Sequence, residues 1–236
     1  MNREIKIHPV KQGLWKACLY VPICLVSLAT LGIWIWDLDC RIMSHLYADG
    51  AFPAGDMLLC KITYTFSSYP AIIVGIGCLG YLLYSLVRKQ RGTGMRIALA
   101  IVLSIVVGPG LVVNTVFKDH YGRPRPRQVE MFGGEMIFHP VLIPGPYKYG
   151  RSFPSGHSSM GFIFVSGFLI GLGLRKKWAW WFLAFSLFYG SFIGLVRMAQ
   201  GAHWPSDVMW SFTFVYYCSF FLTYFLGIFR PEEANP

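Results

Sequence analysis

Two histidines sit where an imidazole could do chemistry on a bound anion. His157 follows Pro154-Ser155-Gly156, and His203 stands four residues before Asp207. Ser155 and Gly156 precede an apolar run that reads as a helix. Its first N–H groups and the positive end of its dipole face whatever lies before them. Asp207 is placed to accept one ring N–H of His203, which would fix the tautomer and free the other nitrogen to attack. Lys118, Arg125 and Arg197 add fixed cations, and arginine offers a planar fork matched to two phosphate oxygens. Three cations, a helix start and two imidazoles describe a site for a dianion, most naturally phosphate. One histidine could attack and the other protonate a leaving group.

These residues belong to three clusters: Lys118 to Pro126, Phe153 to His157, and Arg197 to Asp207. Something must bring them together. Charged residues are 14% of the 236, apolar residues 55%, and mean hydropathy is +0.49. That excludes an ordinary soluble globule and a disordered chain. Six apolar runs reach or approach the ~20 residues a membrane-spanning helix needs. They are Ala17–Trp36, Phe66–Val87, Met95–Phe117, His157–Leu174, Trp178–Val196 and Val208–Phe229. The runs are continuous rather than alternating, so helices are expected and strands are not. The first run is too long for a signal-peptide core and precedes further spans, so it is expected to stay. Pro22 and Gly108-Pro109-Gly110 predict kinks. The expected fold is an all-α integral membrane protein: six transmembrane helices in a bundle, with interfacial loop segments, residues 1–236 forming one domain.

Lys and Arg set the expected orientation. Arg3, Lys6, Lys11 and Lys16 place the amino terminus in the cytoplasm. Arg88, Lys89, Arg91 and Arg96, and then Arg175-Lys176-Lys177, place two connections there as well, and the carboxyl terminus follows. The first connection carries Asp37, Asp39, Asp49 and Asp56 against Arg41 and Lys61, and belongs outside. The third connection, also outside, breaks the bias with Lys118, Arg123, Arg125, Arg127, Lys148 and Arg151. An anionic ligand would require them. All three clusters fall at this one face. The net charge of +10 does not point to nucleic acid, because the remaining basic residues lie in short loops on the opposite face. The six cysteines show no CxxC spacing; Cys40 and Cys60 share the outer stretch and are candidates for a disulfide.

The three clusters resemble the signature of the type 2 phosphatidic acid phosphatase superfamily. Lys118, six residues, then Arg125-Pro126 fits its first motif. Pro154-Ser155-Gly156-His157 fits its second. Arg197, five residues, His203, three residues and Asp207 fits its third. One departure stands: Val196 occupies the place of the serine that usually precedes the third-motif arginine. The resemblance implies roles. His203 is the nucleophile, forming a phosphohistidine; Asp207 orients it; His157 protonates the leaving oxygen and then activates water. Lys118, Arg125, Ser155, Gly156 and Arg197 hold the phosphoryl oxygens. No metal and no cofactor is implied, since fixed cations stabilise the transferring group. The substrate implied is a phosphomonoester or diphosphate of an amphiphilic lipid, turned over at the periplasmic face of a bacterial inner membrane. Similar bacterial members act on lipid A, undecaprenyl diphosphate or phosphatidylglycerol phosphate, and phosphatidic acid gives the superfamily its name.

Rival readings of the same residues are a phosphotransferase that passes the phosphate to a hydroxyl, and a lipid transporter or scramblase. The latter predicts ionisable residues in mid-span, and these runs are almost free of them. Of the remaining charges, Arg123, Arg127 and Arg151 read as rim or headgroup contacts, and Asp119 as a solvated turn residue. His120 and His139 could line the mouth of the site. Gln128 to Gly150, broken by glycines and prolines, reads as a loop at the membrane surface that gates entry. The oligomeric state has no sequence signal.

Overall fold

Each of the six apolar runs forms a helix long and apolar enough to cross a membrane. They are Gln12–Ile35, Leu58–Val87, Thr93–His120, Gly156–Gly173, Ala179–Ala199 and Pro205–Phe225, here called the first to sixth spans. The structure is a computed structural model and describes residues 6–232, so Arg3 lies outside the described residues. Among them there is no sheet, only isolated bridges between loop residues.

Helix boundaries depart from the apolar runs where local chemistry extends them. The second span begins at Leu58, because Leu58–Phe66 is already helical and breaks only at Ser67-Ser68, ahead of Pro70. Proline has no N–H, so the Phe66 carbonyl four residues back has no helical donor. The sixth begins at Pro205, whose missing N–H costs nothing at a first helical position. Asp207 closes that end by accepting from the Trp204 N–H at 2.8 Å. The third span carries the expected irregularity as a wider, π-helical winding over Val106–Phe117. Asn114 Nδ2 donates to the Pro109 carbonyl at 2.7 Å and Thr115 Oγ1 to that of Gly110 at 3.2 Å, each five residues back. The side chains thus serve carbonyls that Pro109 disturbs.

The fourth span is the axis of the bundle. Within its most apolar stretch 72% of residues are buried, against 17% in the first two spans. Small residues let neighbours approach: a Cβ on Gly161 would sit 2.8 Å from the Gly190 Cα of the fifth span. Tyr216 and Tyr217 of the sixth span donate their hydroxyls to the Cys18 and Leu19 carbonyls of the first, both at 2.7 Å.

The first connection forms a short helix, Leu38–Ser44, that lies against the start of the sixth span through Asp39. Cys40 and Cys60 are free thiols, both buried, not a disulfide. The third connection spans nothing. It makes short turns at Pro126–Gln128 and Glu130–Phe132 and then returns along its own beginning. There Gly122, with φ +72°, packs against Gly145 and Gly150 so closely that a Cβ on any of the three would enter backbone of the crossing strand of chain. The Trp34 indole donates to the Val141 carbonyl at 3.1 Å, tying this loop to the end of the first span.

Candidate active site

Each predicted cluster sits at a helix end, and all of the ends meet at one side of the bundle. Lys118 closes the third span, His157 opens the fourth, Arg197 ends the fifth, and His203 precedes the sixth. The linking segments are stitched to one another. The Arg127 N–H donates to the Gly201 carbonyl at 3.0 Å, and the Trp204 indole to that of Pro124 at 2.8 Å. Gly201, at φ +58°, turns the chain after the fifth span, and the Ala202 N–H returns to the Arg197 carbonyl at 3.0 Å. His203 is thereby fixed between two helices.

Lys118, Arg125, His157, Arg197 and His203 all line one cavity of about 640 Å³. Arg125 and Arg197 are held in place, yet neither Nε finds an acceptor among the described residues. Burial first, and the neighbouring Arg127 next, push the Arg125 guanidinium below its ordinary range. Cations crowded into partly dry surroundings favour an anion among them. Gly156 permits this crowding. A Cβ there would stand 2.5 Å from Asn114 Oδ1 and 3.2 Å from Lys118 Nζ.

His203 is 1% exposed. Its Nδ1 lies 2.7 Å from the Ser152 carbonyl, which can only accept, so that nitrogen carries the proton and Nε2 is left with a lone pair. The carboxylate expected to take this proton is one step further off: Asp207 Oδ2 is 3.6 Å from Nδ1. Asp207 instead accepts from Ser152 Oγ at 2.5 Å, so it steadies the residue whose carbonyl holds the ring. Burial pulls the imidazole pKa down to about 4, and the nearby Asp207 carboxylate offsets only part of that. The ring is neutral at pH 7.

Ser155 is not on the cavity wall. Its hydroxyl is fully buried and caps the fourth span, accepting from the Ser158 N–H at 3.4 Å and lying 2.9 Å from Ser158 Oγ. Gly156 bears on the site through the space it leaves. Val196 is buried and supplies no hydroxyl where the resemblance has one. His120 and His139 do not line the cavity. His120 Nδ1 lies against its own helix carbonyls, and His139 offers only its backbone carbonyl, to Arg123. Arg127 is on the wall, whereas Arg151 pairs with Asp119 at the surface.

Arg123 overturns its reading as a rim charge. It is fully buried, with NH1 2.5 Å from Asp207 Oδ1 and NH2 2.7 Å from Asp39 Oδ2. Burial opposes its charge, but the Asp207 and Asp39 carboxylates outweigh burial and hold the guanidinium above its ordinary range. Tyr64 was also missed. Its ring stacks on His157 at 4.8 Å, and the Arg197 guanidinium lies over it at 4.7 Å. A lone Tyr at the start of an apolar run carries no signal of this. Asp39 did carry one: a carboxylate between Leu38 and Cys40, in a helix with Ile42 and Met43, needs a buried partner.

Residues 93–230 match the PAP2 superfamily. The lipid A 4'-phosphatase of Francisella tularensis subsp. novicida is 38% identical over 76% of this chain and 82% of its own length. The chain belongs to the PAP2 superfamily. It is a membrane-embedded phosphatase of that superfamily. The lipid A 4'-phosphatase of Rhizobium leguminosarum is 33% identical over 52% of the chain and 50% of its own length. The lipid A 1-phosphatase of Rhizobium etli is 27% identical over 83% and 78%. No solved structure matches the chain significantly.

Proposed function

We propose that this PAP2 member removes a phosphate from lipid A, first of all the 4'-phosphate, through a phosphohistidine on His203. The observation that carries the reading is the cavity into which three distant stretches deliver Lys118, Arg125, Arg197 and two histidines, at one end of a membrane-spanning bundle. An amphiphile can keep its tails in lipid there while its phosphate enters the cavity. Similarity to the lipid A 4'-phosphatase of Francisella supports the choice of head group. The basic third connection, against the positive-inside bias, supports a periplasmic site in a bacterial inner membrane with both termini cytoplasmic.

In the first step the Nε2 lone pair of His203 forms a bond to phosphorus as the phosphorus–oxygen bond to the sugar breaks. His157 gives its proton to the departing oxygen. In the second step His157 takes a proton from water, the hydroxyl attacks phosphorus, and the nitrogen–phosphorus bond breaks to return His203 and inorganic phosphate. Lys118, Arg125 and Arg197 offset the charge on the phosphoryl oxygens throughout. Asp207 orients His203 by way of Ser152. Gly156 leaves room for Lys118, and Ser155 caps the helix behind it.

The test is phosphate release by purified protein from lipid A, undecaprenyl diphosphate, phosphatidic acid and phosphatidylglycerol phosphate, with the lipid A product mapped by mass spectrometry. Loss of the 4'-phosphate from lipid A without any added acceptor is expected, with inhibition by vanadate and none by EDTA. Turnover of another lipid with lipid A untouched refutes the substrate assignment. Release that depends on an added hydroxyl acceptor makes the protein a transferase, and a strict Mg²⁺ requirement refutes catalysis by side-chain cations alone.

A further inference from the structure

Behind the nucleophile lies a cluster of charge that the phosphoryl-holding residues do not use. Asp39, Arg123 and Asp207 are each 1% exposed or less. Arg123 sits between the carboxylates, and Ser206 joins it to Asp39. The Ser206 hydroxyl lies 2.8 Å from Arg123 NH1 and donates to Asp39 Oδ2 at 2.6 Å, and the Ser206 N–H donates to Asp39 Oδ1 at 2.9 Å. Arg123 Nε donates to the His139 carbonyl at 2.9 Å, and the rings of Trp204 and Phe138 flank the guanidinium at 5.5 and 5.7 Å. Arg123 and Asp207 are fully enclosed, and Asp39, though only 1% exposed, borders a second cavity of about 250 Å³ on the side away from His203. Asp39 comes from the first connection, outside residues 93–230 that match the superfamily.

One guanidinium between two carboxylates leaves a single negative charge over. A dry interior tolerates such an excess only where a positive charge can meet it. The titratable ring next to it is His203, 3.6 Å from Asp207. That ring is neutral at rest. It becomes cationic when Nε2 bonds to phosphorus and Nδ1 keeps its proton.

We propose that Asp39 and Arg123 are positioning residues that, with Asp207, form a buried group of net charge −1 matched to the positive charge His203 gains on phosphorylation. This rests on His203 being the nucleophile. The competing reading is a passive strut that only docks the Leu38–Ser44 helix onto the sixth span.

Asp39→Asn separates the two, since it keeps shape and an acceptor but makes the group neutral. The experiment measures acid-labile label on the protein within the first turnover of radiolabelled lipid A in detergent, alongside steady-state kcat and KM and the unfolding temperature. Asp39→Asn is expected to slow labelling and kcat by about 10- to 100-fold with KM within about twofold. Asp39→Glu, which keeps the charge but strains the fit, is expected to stay within about tenfold of wild type. The double variant Asp39→Asn with Arg123→Gln restores net −1 through Asp207 alone and is expected to recover rate over Asp39→Asn. Labelling by folded Asp39→Asn at the wild-type rate overturns the proposal, as does a double variant no faster than the single one. Should Asp39→Asn not fold, the double variant is compared with wild type, and labelling as poor as in His203→Ala overturns it. Wild-type protein that turns over lipid A but takes no label overturns the phosphohistidine reading, and the charge-matching role falls with it.

Discussion

The cavity has two unlike walls. One is built from the superfamily-matched stretch and bears Lys118, Arg125, His157, Arg197 and His203. Arg197 and His203 there are nearly dry, 8% and 1% exposed, and Lys118, Arg125 and His157 are half-buried. The other comes from the first connection and the start of the second span, with Tyr47, Phe52, Asp56, Lys61 and Tyr64. There Asp56 and Lys61 make a loose 3.7 Å pair in the open. The contrast follows from the tasks. Phosphoryl transfer needs donors fixed before the reaction begins, which burial and main-chain bonds supply. Admitting a bulky head group needs reach and tolerance, which exposed side chains supply.

Substitutions on the first wall should therefore cut kcat, and those on the second should act more weakly. The largest effect is expected for His203→Ala: at least about 1,000-fold loss of phosphate release and no phosphoenzyme. His157→Ala should cost about 100- to 1,000-fold, with activity restored best on substrates whose leaving group needs no proton. Asp207→Asn should lower kcat about 10- to 100-fold and leave KM within about threefold, because binding cations are untouched. On the open wall, Tyr64→Leu should cost about 3- to 10-fold, through looser placement of His157 and Arg197 rather than loss of charge. Arg127→Gln, a variant at the rim between the walls, should raise KM for lipid A about two- to fivefold with kcat unchanged. A kcat loss for Arg127→Gln as large as for Asp207→Asn would erase the distinction between the walls.

The dry wall also has a signature in pH. The pKa of His203 is lowered from 6.5 to about 4, so the free ring stays unprotonated as pH falls from 7 and loses its Nε2 lone pair only near 4. With His203 as the proposed nucleophile, the acid limb of kcat/KM should lie close to pH 4, well below the ordinary histidine range, as a pH–rate profile can establish. A nucleophile limb at pH 6 to 7 would contradict the burial of His203.

Six helices and the convergence of three motifs could be read from the sequence, because long apolar runs and fixed spacings are local signals. Even Lys118, placed by motif alone, lands on the cavity. What escaped was set by tertiary contact. Arg123 looks like its neighbours in Gly122-Arg-Pro-Arg-Pro-Arg127, yet it is buried between Asp39 and Asp207 while Arg125 and Arg127 face the cavity. Asp39 was counted only as a topological charge, and its partners lie 84 and 167 residues away. The proton of His203 goes to a main-chain carbonyl, a group that every residue has and no motif can specify. Ser155 fits its motif but serves the helix instead of the cavity.

The glycine crossing at Gly122, Gly145 and Gly150 gives the long third connection a sealed neck. Beyond it, Gly145 N–H bonds to the Tyr121 carbonyl and Ser152 N–H to that of Arg123, so entry and exit of the lobe are locked in register. The lobe carries Arg123, Arg125 and Arg127, so closing its neck also fixes these arginines relative to Lys118 and His157. Three missing side chains thus act as the clamp that sets the dimensions of the cavity.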